Sequence, residues 1–262
     1  MEKIIHLLYT PFTGLGMFNG YRGYEWFRHR MLLFLKYVIP SLENQTNRDF
    51  IHWISFRPEE YSNRITEAIY NYLKYSRKSK YRFVFTFGGL CFWDDKNIDD
   101  NLLERLQKTL PELKDIVGDS KYVYKTIVPS DDMYHKDVVE SIQKEPYREK
   151  GALVHHKGYV FNEPTKQLAE WNPPKNSFPP FYTIMYPVDV FLDPQKHFDY
   201  VKPYRSHEDI PKIFKTKQLP DNRYCVMVHE NNISTNWYCG FKGKVFHGEE
   251  KEKILKDFGI EI

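Results

Sequence analysis

Strand and helix patterns alternate along residues 4–128, and this alternation constrains the fold more than any other feature of the chain. Short apolar and aromatic runs predict strands at residues 4–9, 50–56, 81–87 and 122–128. Longer stretches with helical spacing separate them, at residues 26–39, 58–76 and 99–117. Repeated strand–helix units of this length build a mostly parallel sheet with helices on its faces. We therefore expect an α/β fold with a Rossmann-like, mostly parallel central sheet.

The last third of the chain predicts strands and helices in a less regular order. Strand patterns occupy residues 152–161, 167–171, 181–191 and 224–229, and the first two predict a hairpin. Helical patterns begin at Met133 and cover residues 205–214 and 249–258. No segment has the length and composition of a flexible linker. We expect a single domain over residues 1–262, with halves at about 1–132 and about 133–262.

Composition argues against several classes of protein. With 41% hydrophobic and 28% charged residues, the chain should fold around a core and not stay disordered. A net charge of +3 does not predict nucleic acid as a partner. Cys91, Cys225 and Cys239 lack the paired spacing of a zinc site or a disulfide framework.

The N-terminal apolar run is too short for a signal peptide or a membrane span. We expect no transmembrane segment and a cytoplasmic protein. The sequence leaves open whether the protein acts at a membrane surface. The aromatic content of 17% suits a core and also pockets for sugars and bases.

Two adjacent carboxylates, Asp131 and Asp132, follow the predicted strand 122–128. In open α/β sheets, ligands bind outside the carboxyl ends of the strands. Two neighbouring anions repel each other unless a positive charge lies between them, and a divalent cation with a phosphorylated ligand would supply one. The alternative is that both acids cap and charge the first turn of the helix predicted from Met133.

Residues of the N-terminal half occur in the order and spacing of one known family: Trp26, Arg30, Phe34, Pro40-Ser41-Leu42, Gln45-Thr46, Asp49-Phe50 and Trp53. They resemble the opening of the predicted rhamnosyltransferase family, whose members are nucleotide-sugar glycosyltransferases of the GT-A fold. Ser130-Asp131-Asp132 falls where such enzymes carry an Asp-x-Asp metal motif, although Pro129 stands at its first acidic position. Residues 228–232 are similar to the family's late His-x-x-Asn segment. The resemblance implies a GT-A-like fold with a mixed, acceptor-binding second half.

The resemblance also implies a donor site with a metal. The partners would be a nucleotide-sugar donor and a glycan or glycolipid acceptor, and a divalent cation would offset the charge that develops on the diphosphate. Asp131 and His229 would bind that cation, Mn²⁺ or Mg²⁺; a histidine that merely caps a strand end is the alternative. The predicted donor contacts are Ser130, Asp132, Thr10, Pro11, Phe12 and Arg57, with core packing as the alternative for Phe12.

An inverting transfer needs a general base on the face of the sugar opposite the leaving group. Glu208 and Asp209 look like the Glu-Asp pair of inverting GT-A enzymes, and the second is our preferred base. Acids at an ordinary helix start are the alternative. The functional hypotheses are therefore a glycosyltransferase, a degenerate GT-A domain that binds a nucleotide or glycan without turnover, and a metal-dependent phosphohydrolase.

Overall fold

The structure, a computed structural model, describes residues 3–13, 23–75, 81–90, 98–202, 206–230, 232, 237 and 241–261. The side chains of residues 98–101 are not part of this description. Cys91 and Cys239 lie outside the described residues, and Cys225 is a buried free thiol.

The strands, in chain order, are β1 Ile4–Pro11, β2 Ile51–Ser55, β3 Arg82–Thr86, β4 Tyr122–Ile127, β5 Met133–Tyr134, β6 Gly151–Val154, β7 Gly158–Asn162, β8 Gln167–Trp171, β9 Tyr182–Pro187, β10 Lys215–Gln218, β11 Tyr224–Val228 and β12 Lys242–Phe246. They form two sheets. The first has the order β10-β6-β9-β4-β1-β2-β3, and the second has the order β12-β8-β7-β11-β5.

The first sheet is mixed, whereas the sequence predicts a mostly parallel one. Strands β4, β1, β2 and β3 are parallel neighbours, as their strand–helix alternation predicts. Strand β9, however, runs antiparallel to both β4 and β6. Alternation in the sequence identifies strands but does not set the direction of a strand that arrives from another sheet, so the mixed half was not predictable in this way.

The helices are α1 Tyr24–Leu33, α2 Ile39–Glu43, α3 Arg64–Tyr75, α4 Ile98–Thr109, α5 Lys114–Val117, α6 Val138–Gln143, α7 Val188–Leu192, α8 Pro194–Val201, α9 Ile210–Ile213 and α10 Gly248–Asp257. Some of them cover both faces of the first sheet, while α10 packs against the second sheet. On one face, Leu7 and Trp53 pack with apolar residues of α4 and α8. On the other, Leu8 and Ile54 pack with those of α1 and α3. Alternate strand residues therefore supply two cores, which is what a strand buried on both sides requires.

The sequence predicts that the first helix ends before Pro40, but in the structure the helix continues past this residue. A π-helical turn, Phe34–Val38, joins α1 to α2, and Pro40 lies within the first turn of α2. Proline has no amide hydrogen for the carbonyl four residues earlier, so an α-helix does not pass through it unchanged. The wider π turn just before Pro40 accommodates this irregularity and lets the helix continue.

Met133 begins a strand and not the predicted helix. Strand β5 pairs antiparallel with β11 in the second sheet, with Met133 opposite Cys225. The chain therefore leaves the first sheet at the end of β4 and enters the second sheet at β5, and Asp131 and Asp132 lie on this crossing. Helix α6 starts only after it, at Val138. No helix of the described residues is long and apolar enough to cross a membrane.

The crossing is held by a hydrogen bond from Tyr134 to the strand that precedes it. The buried Tyr134 hydroxyl donates to the carbonyl of Ile127 at 2.8 Å. We expect Tyr134→Phe to lower the free energy of unfolding by about 1–3 kcal/mol, because the buried carbonyl loses its donor. Urea titration would measure this, with Tyr61→Phe as the control. Tyr61 is 74% exposed, so an equal loss in both variants would contradict the anchoring role.

Candidate active site

Three segments with polar side chains meet at the carboxyl ends of the parallel strands. Pro11 pairs with Ser55 at the ends of β1 and β2, and Tyr9 pairs with Ile127 at the end of β4. Residues 10–13, 56–57 and 128–132 therefore lie along one edge of the sheet. That edge is where an open α/β sheet offers room for a ligand.

Asp131 is paired with a buried arginine. Arg30 Nη1 contacts Asp131 Oδ2, and the arginine side chain is 3% exposed while the aspartate side chain is 15% exposed. Arg30 comes from α1, where it shares the buried face with Phe27 and Leu33. Its guanidinium also lies over the ring of Trp26, 5.1 Å from the centroid. A buried arginine needs an anion, and Asp131 is that anion.

His229 completes the contacts of Asp131 from the second sheet. Its Nε2 lies 3.1 Å from the same Asp131 Oδ2, and its side chain is 1% exposed. Asn232 shapes the turn that holds it: the Asn232 side-chain oxygen accepts from the amide of His229, and its side-chain amide donates to Met227 at 2.9 Å. Both named positions of the predicted His-x-x-Asn segment thus contact each other.

Asp132 binds the backbone of β11. Its Oδ1 accepts a hydrogen bond from the amide of Met227 at 2.9 Å. The adjacent Ser130 is 1% exposed, and its Oγ has no hydrogen-bond partner among the residues described. A buried hydroxyl without a partner usually meets water or a ligand. The acidic pair thus ties the two sheets together and leaves one polar group at the crossing unused.

The surroundings move the two carboxyl pKa values in opposite directions. Burial alone would raise the pKa of Asp131, but the charge of Arg30 and the hydrogen bond from His229 outweigh it and lower this pKa to about 2. Burial and the charge of Asp131 raise the pKa of Asp132 well above its ordinary value. Asp131 is therefore the ionised carboxylate of the site, whereas the Asp132 side chain favours the protonated, neutral form.

The predicted donor contacts on the first two strands are at the sheet edge, but their side chains differ in access. Thr10 Oγ1 is buried and lies 2.9 Å from His52 Nε2. Pro11 ends β1. Phe12 is fully buried and packs edge-on against Phe34, with ring centroids 5.0 Å apart.

Among these predicted donor contacts, Arg57 is the one whose side chain is partly exposed. The Arg57 amide donates to Thr13 Oγ1 at 3.0 Å, which fixes the end of β2 against the end of β1. The contacts of Thr10, Pro11, Phe12 and Arg57 with a nucleotide stay predictions, and for Phe12 the ring itself is occupied by core packing.

Glu208 and Asp209 lie at the start of a helix. Neither has a described contact with Asp131. Asp209 Oδ2 accepts from the amide of Ser206 at 3.1 Å, and its Oδ1 lies 2.8 Å from Lys212 Nζ. Glu208 Oε2 accepts from the amide of Phe178 at 3.0 Å. Asp209 thus caps the helix start and Glu208 binds the backbone of Phe178, and their catalytic role stays a prediction.

A separate cavity of about 700 Å³ lies at the opposite, amino ends of the strands. Its lining includes Lys3, Arg48 and Asp119. Lys3 and Asp119 pair with each other at the surface, and Arg48 donates to the carbonyl of Glu43 at 2.8 Å. These charged groups are therefore engaged, and the cavity shares no residue with the acidic crossing.

Arg30 is the residue of the candidate site that reasoning from the sequence missed, although it is part of the family resemblance. The available signal was its place on α1, three residues after Phe27 and four before Phe34, on the apolar face of the helix. A charged residue on a buried face needs a partner of opposite charge from another element. Only the folded chain shows that this partner is Asp131.

Comparisons with known proteins do not identify a family for this chain. No protein-family model matches it, and no curated protein matches it. A solved structure with partial likeness is a protein from Desulfovibrio desulfuricans G20, provisionally named a nucleotide-diphospho-sugar transferase. It is 14% identical, and the match has a TM-score of 0.36 and covers 85% of this chain and 82% of that one. At that TM-score the likeness supports neither a shared fold nor a shared activity.

The Asp131 pair predicts a specific dependence of stability on acid. The folded pKa of Asp131 is about 2, below its ordinary value of 3.8. Ionised Asp131 therefore stabilises the fold fully above about pH 4, and this stabilisation is lost as the pH falls toward 2. We expect Asp131→Asn to be less stable at pH 7 and to lose less further stability between pH 4 and pH 2 than the parent protein.

Urea titration at each pH would measure both effects. Asp199→Asn, which changes an exposed carboxylate on α8, is the matched control and should follow the parent protein. Parallel curves for Asp131→Asn and the parent protein across this range would show that the ion pair does not set the acid response.

Proposed function

We propose that this protein is a glycosyltransferase that moves a sugar from a nucleoside-diphosphate sugar to a glycan or glycolipid acceptor. The observation that carries the proposal is the Asp131 carboxylate at the carboxyl end of β4, ionised and within contact of both Arg30 and His229. One anion, one cation and one imidazole at this edge suit a ligand that combines phosphate with a metal ion. Ser130 Oγ, which has no hydrogen-bond partner among the described residues, supports a ligand at the same place.

The donor atoms fit a cation that a phosphorylated ligand helps to bind. Two ligands of one cation, each about 2.1 Å from it, lie about 3 Å apart when they are at right angles. Asp131 Oδ2 and His229 Nε2 are 3.1 Å apart. Within the described residues, no group of three His, Cys, Asp or Glu side chains could hold a metal. The remaining ligands would thus be phosphate oxygens and water, as is usual for Mg²⁺ in phosphate-transfer sites.

The chain's own residues would divide the work of the reaction. Asp131 and His229 would hold the Mn²⁺ or Mg²⁺, which when bound supplies positive charge to the diphosphate leaving group. Asp132 keeps β11 next to β4 through Met227, so it positions His229 two residues further on. Arg57 and the end of β1 would bind the nucleotide along the same edge. Rhamnose as the transferred sugar rests on the family resemblance alone.

Two other functions are alternatives to the transferase. Pro129, in place of a motif acid, favours a degenerate domain that binds a nucleotide without turnover. A metal-dependent phosphohydrolase would generally bring more carboxylates together on two metals. The described residues bring only Asp131 and Asp132 together at this edge, which favours the transferase.

A thermal-shift screen of UDP-, GDP- and dTDP-sugars, with and without Mn²⁺, tests the proposal. We expect one nucleotide class to stabilise the fold in the presence of Mn²⁺, by about 2.7 kcal/mol at a hundredfold excess over Kd. Asp131→Asn should remove the part of this shift that depends on Mn²⁺, while Asp199→Asn keeps it. No stabilisation by any nucleotide would refute the proposal; stabilisation without sugar transfer would leave the degenerate domain.

For the general base we propose Asp209, supported by its place in the Glu-Asp pair. Asp209→Asn preserves the side-chain oxygen that accepts from Ser206, so the helix start should survive. We expect transfer to fall about 10²–10⁴-fold while donor binding stays. Glu208→Gln is the matched comparison and should lose less. Unchanged turnover in Asp209→Asn, or retention of the anomeric configuration in the product by NMR, would exclude this base.

A further inference from the structure

Arg30 and the proposed metal ion would bind the same oxygen atom, Asp131 Oδ2. Arg30 Nη1 and His229 Nε2 both contact Asp131 Oδ2. A cation bound by Asp131 and His229 would therefore take the oxygen that the guanidinium now holds. The inference that follows rests on the proposed function, because it concerns what Arg30 does when metal and donor arrive.

Two cations cannot share this oxygen without a large electrostatic cost. The Arg30 and Asp131 side chains are 3% and 15% exposed, so water screens their charges poorly. A divalent ion beside the guanidinium would be repelled by it. Displacing the guanidinium alone would leave a buried positive charge without an anion, which is also unfavourable.

The donor supplies the anion that resolves this conflict. A nucleoside diphosphate enters with the metal and carries oxygens that a guanidinium binds in pairs. Arg30 lies at the carboxyl edge of the sheet, next to the proposed metal ligands. Its contact with the Trp26 ring, 5.1 Å from the centroid, supports one side of the guanidinium without using its N–H donors.

We propose that Arg30 exchanges partners: it pairs with Asp131 in the metal-free protein and with the donor diphosphate once a divalent cation occupies Asp131 and His229. Arg30 thus prevents a metal ion from binding at Asp131 and His229 when the donor is absent. It also couples the two ligands, because each one removes an obstacle to the other, and such coupling is reciprocal.

Arg30→Gln separates this proposal from a purely structural role, because it predicts effects of opposite sign. Mn²⁺ alone should bind about 10–100-fold more tightly to Arg30→Gln than to the parent protein, since the competing cation is gone. The nucleoside diphosphate identified from UDP, GDP and dTDP should bind about 10–100-fold more weakly in saturating Mn²⁺. Free Mn²⁺ would be counted by its EPR signal, and nucleotide binding would be measured by calorimetry.

Arg28→Gln is the matched control, since Arg28 is an exposed arginine of the same helix that pairs with Glu25 at 3.1 Å. It should change neither affinity. Arg30→Lys, which retains a positive charge without the guanidinium fork, covers the case in which Arg30→Gln does not fold. It should bind Mn²⁺ alone about as the parent protein does and bind the diphosphate at least tenfold more weakly.

Mn²⁺ affinity that falls or stays the same in Arg30→Gln would overturn the exchange, as would nucleotide affinity that does not fall. If Arg30→Gln does not fold, unchanged nucleotide affinity in Arg30→Lys would overturn it. Either result leaves the proposed function intact as long as the parent protein binds Mn²⁺ with a nucleoside diphosphate. A parent protein that binds neither would overturn both the exchange and the proposed function.

Discussion

The buried pair of Arg30 and Asp131 is the interaction on which the rest of the site depends. It joins α1 to the crossing between the two sheets, and it decides the ionisation of both carboxyls there. With Arg30 in place, Asp131 stays charged at neutral pH and its neighbour Asp132 favours the neutral form. Removing one partner of such a pair leaves an uncompensated charge in a poorly hydrated place, which costs more than the pair contributes.

The site lies at a junction of two sheets, and this arrangement explains why residues so distant in sequence meet. Strand β4 brings Asp131 to the carboxyl edge of the first sheet, while β11 brings His229 from the second. The hydrogen bond from Met227 to Asp132, at 2.9 Å, fixes the two strands relative to each other. The second carboxylate of the acidic pair therefore has a structural task that makes the position of the first one precise.

The sequence predicted the parts of the molecule that depend on local pattern. The alternation of strands and helices predicts the parallel strands β1–β4. The carboxyl ends of such strands share one edge of the sheet, so the acidic pair after β4 is predicted to lie there. The sequence wrongly predicts a helix from Met133 because a two-residue strand carries no period to detect. It predicts a helix end before Pro40 because the compensating π turn has no sequence signature. Arg30 needed a partner that only the tertiary fold identifies.

We propose that Asp131 and His229 bind a divalent cation together with the diphosphate of a nucleotide, and that Arg30 moves to that diphosphate. A crystal structure with Mn²⁺ and the bound nucleoside diphosphate, with anomalous data at the manganese edge, tests it most directly. We expect a manganese peak about 2.0–2.3 Å from Asp131 and His229, with Arg30 hydrogen-bonded to phosphate oxygens. A manganese ion elsewhere, or Arg30 still paired with Asp131 beside bound nucleotide, would contradict it.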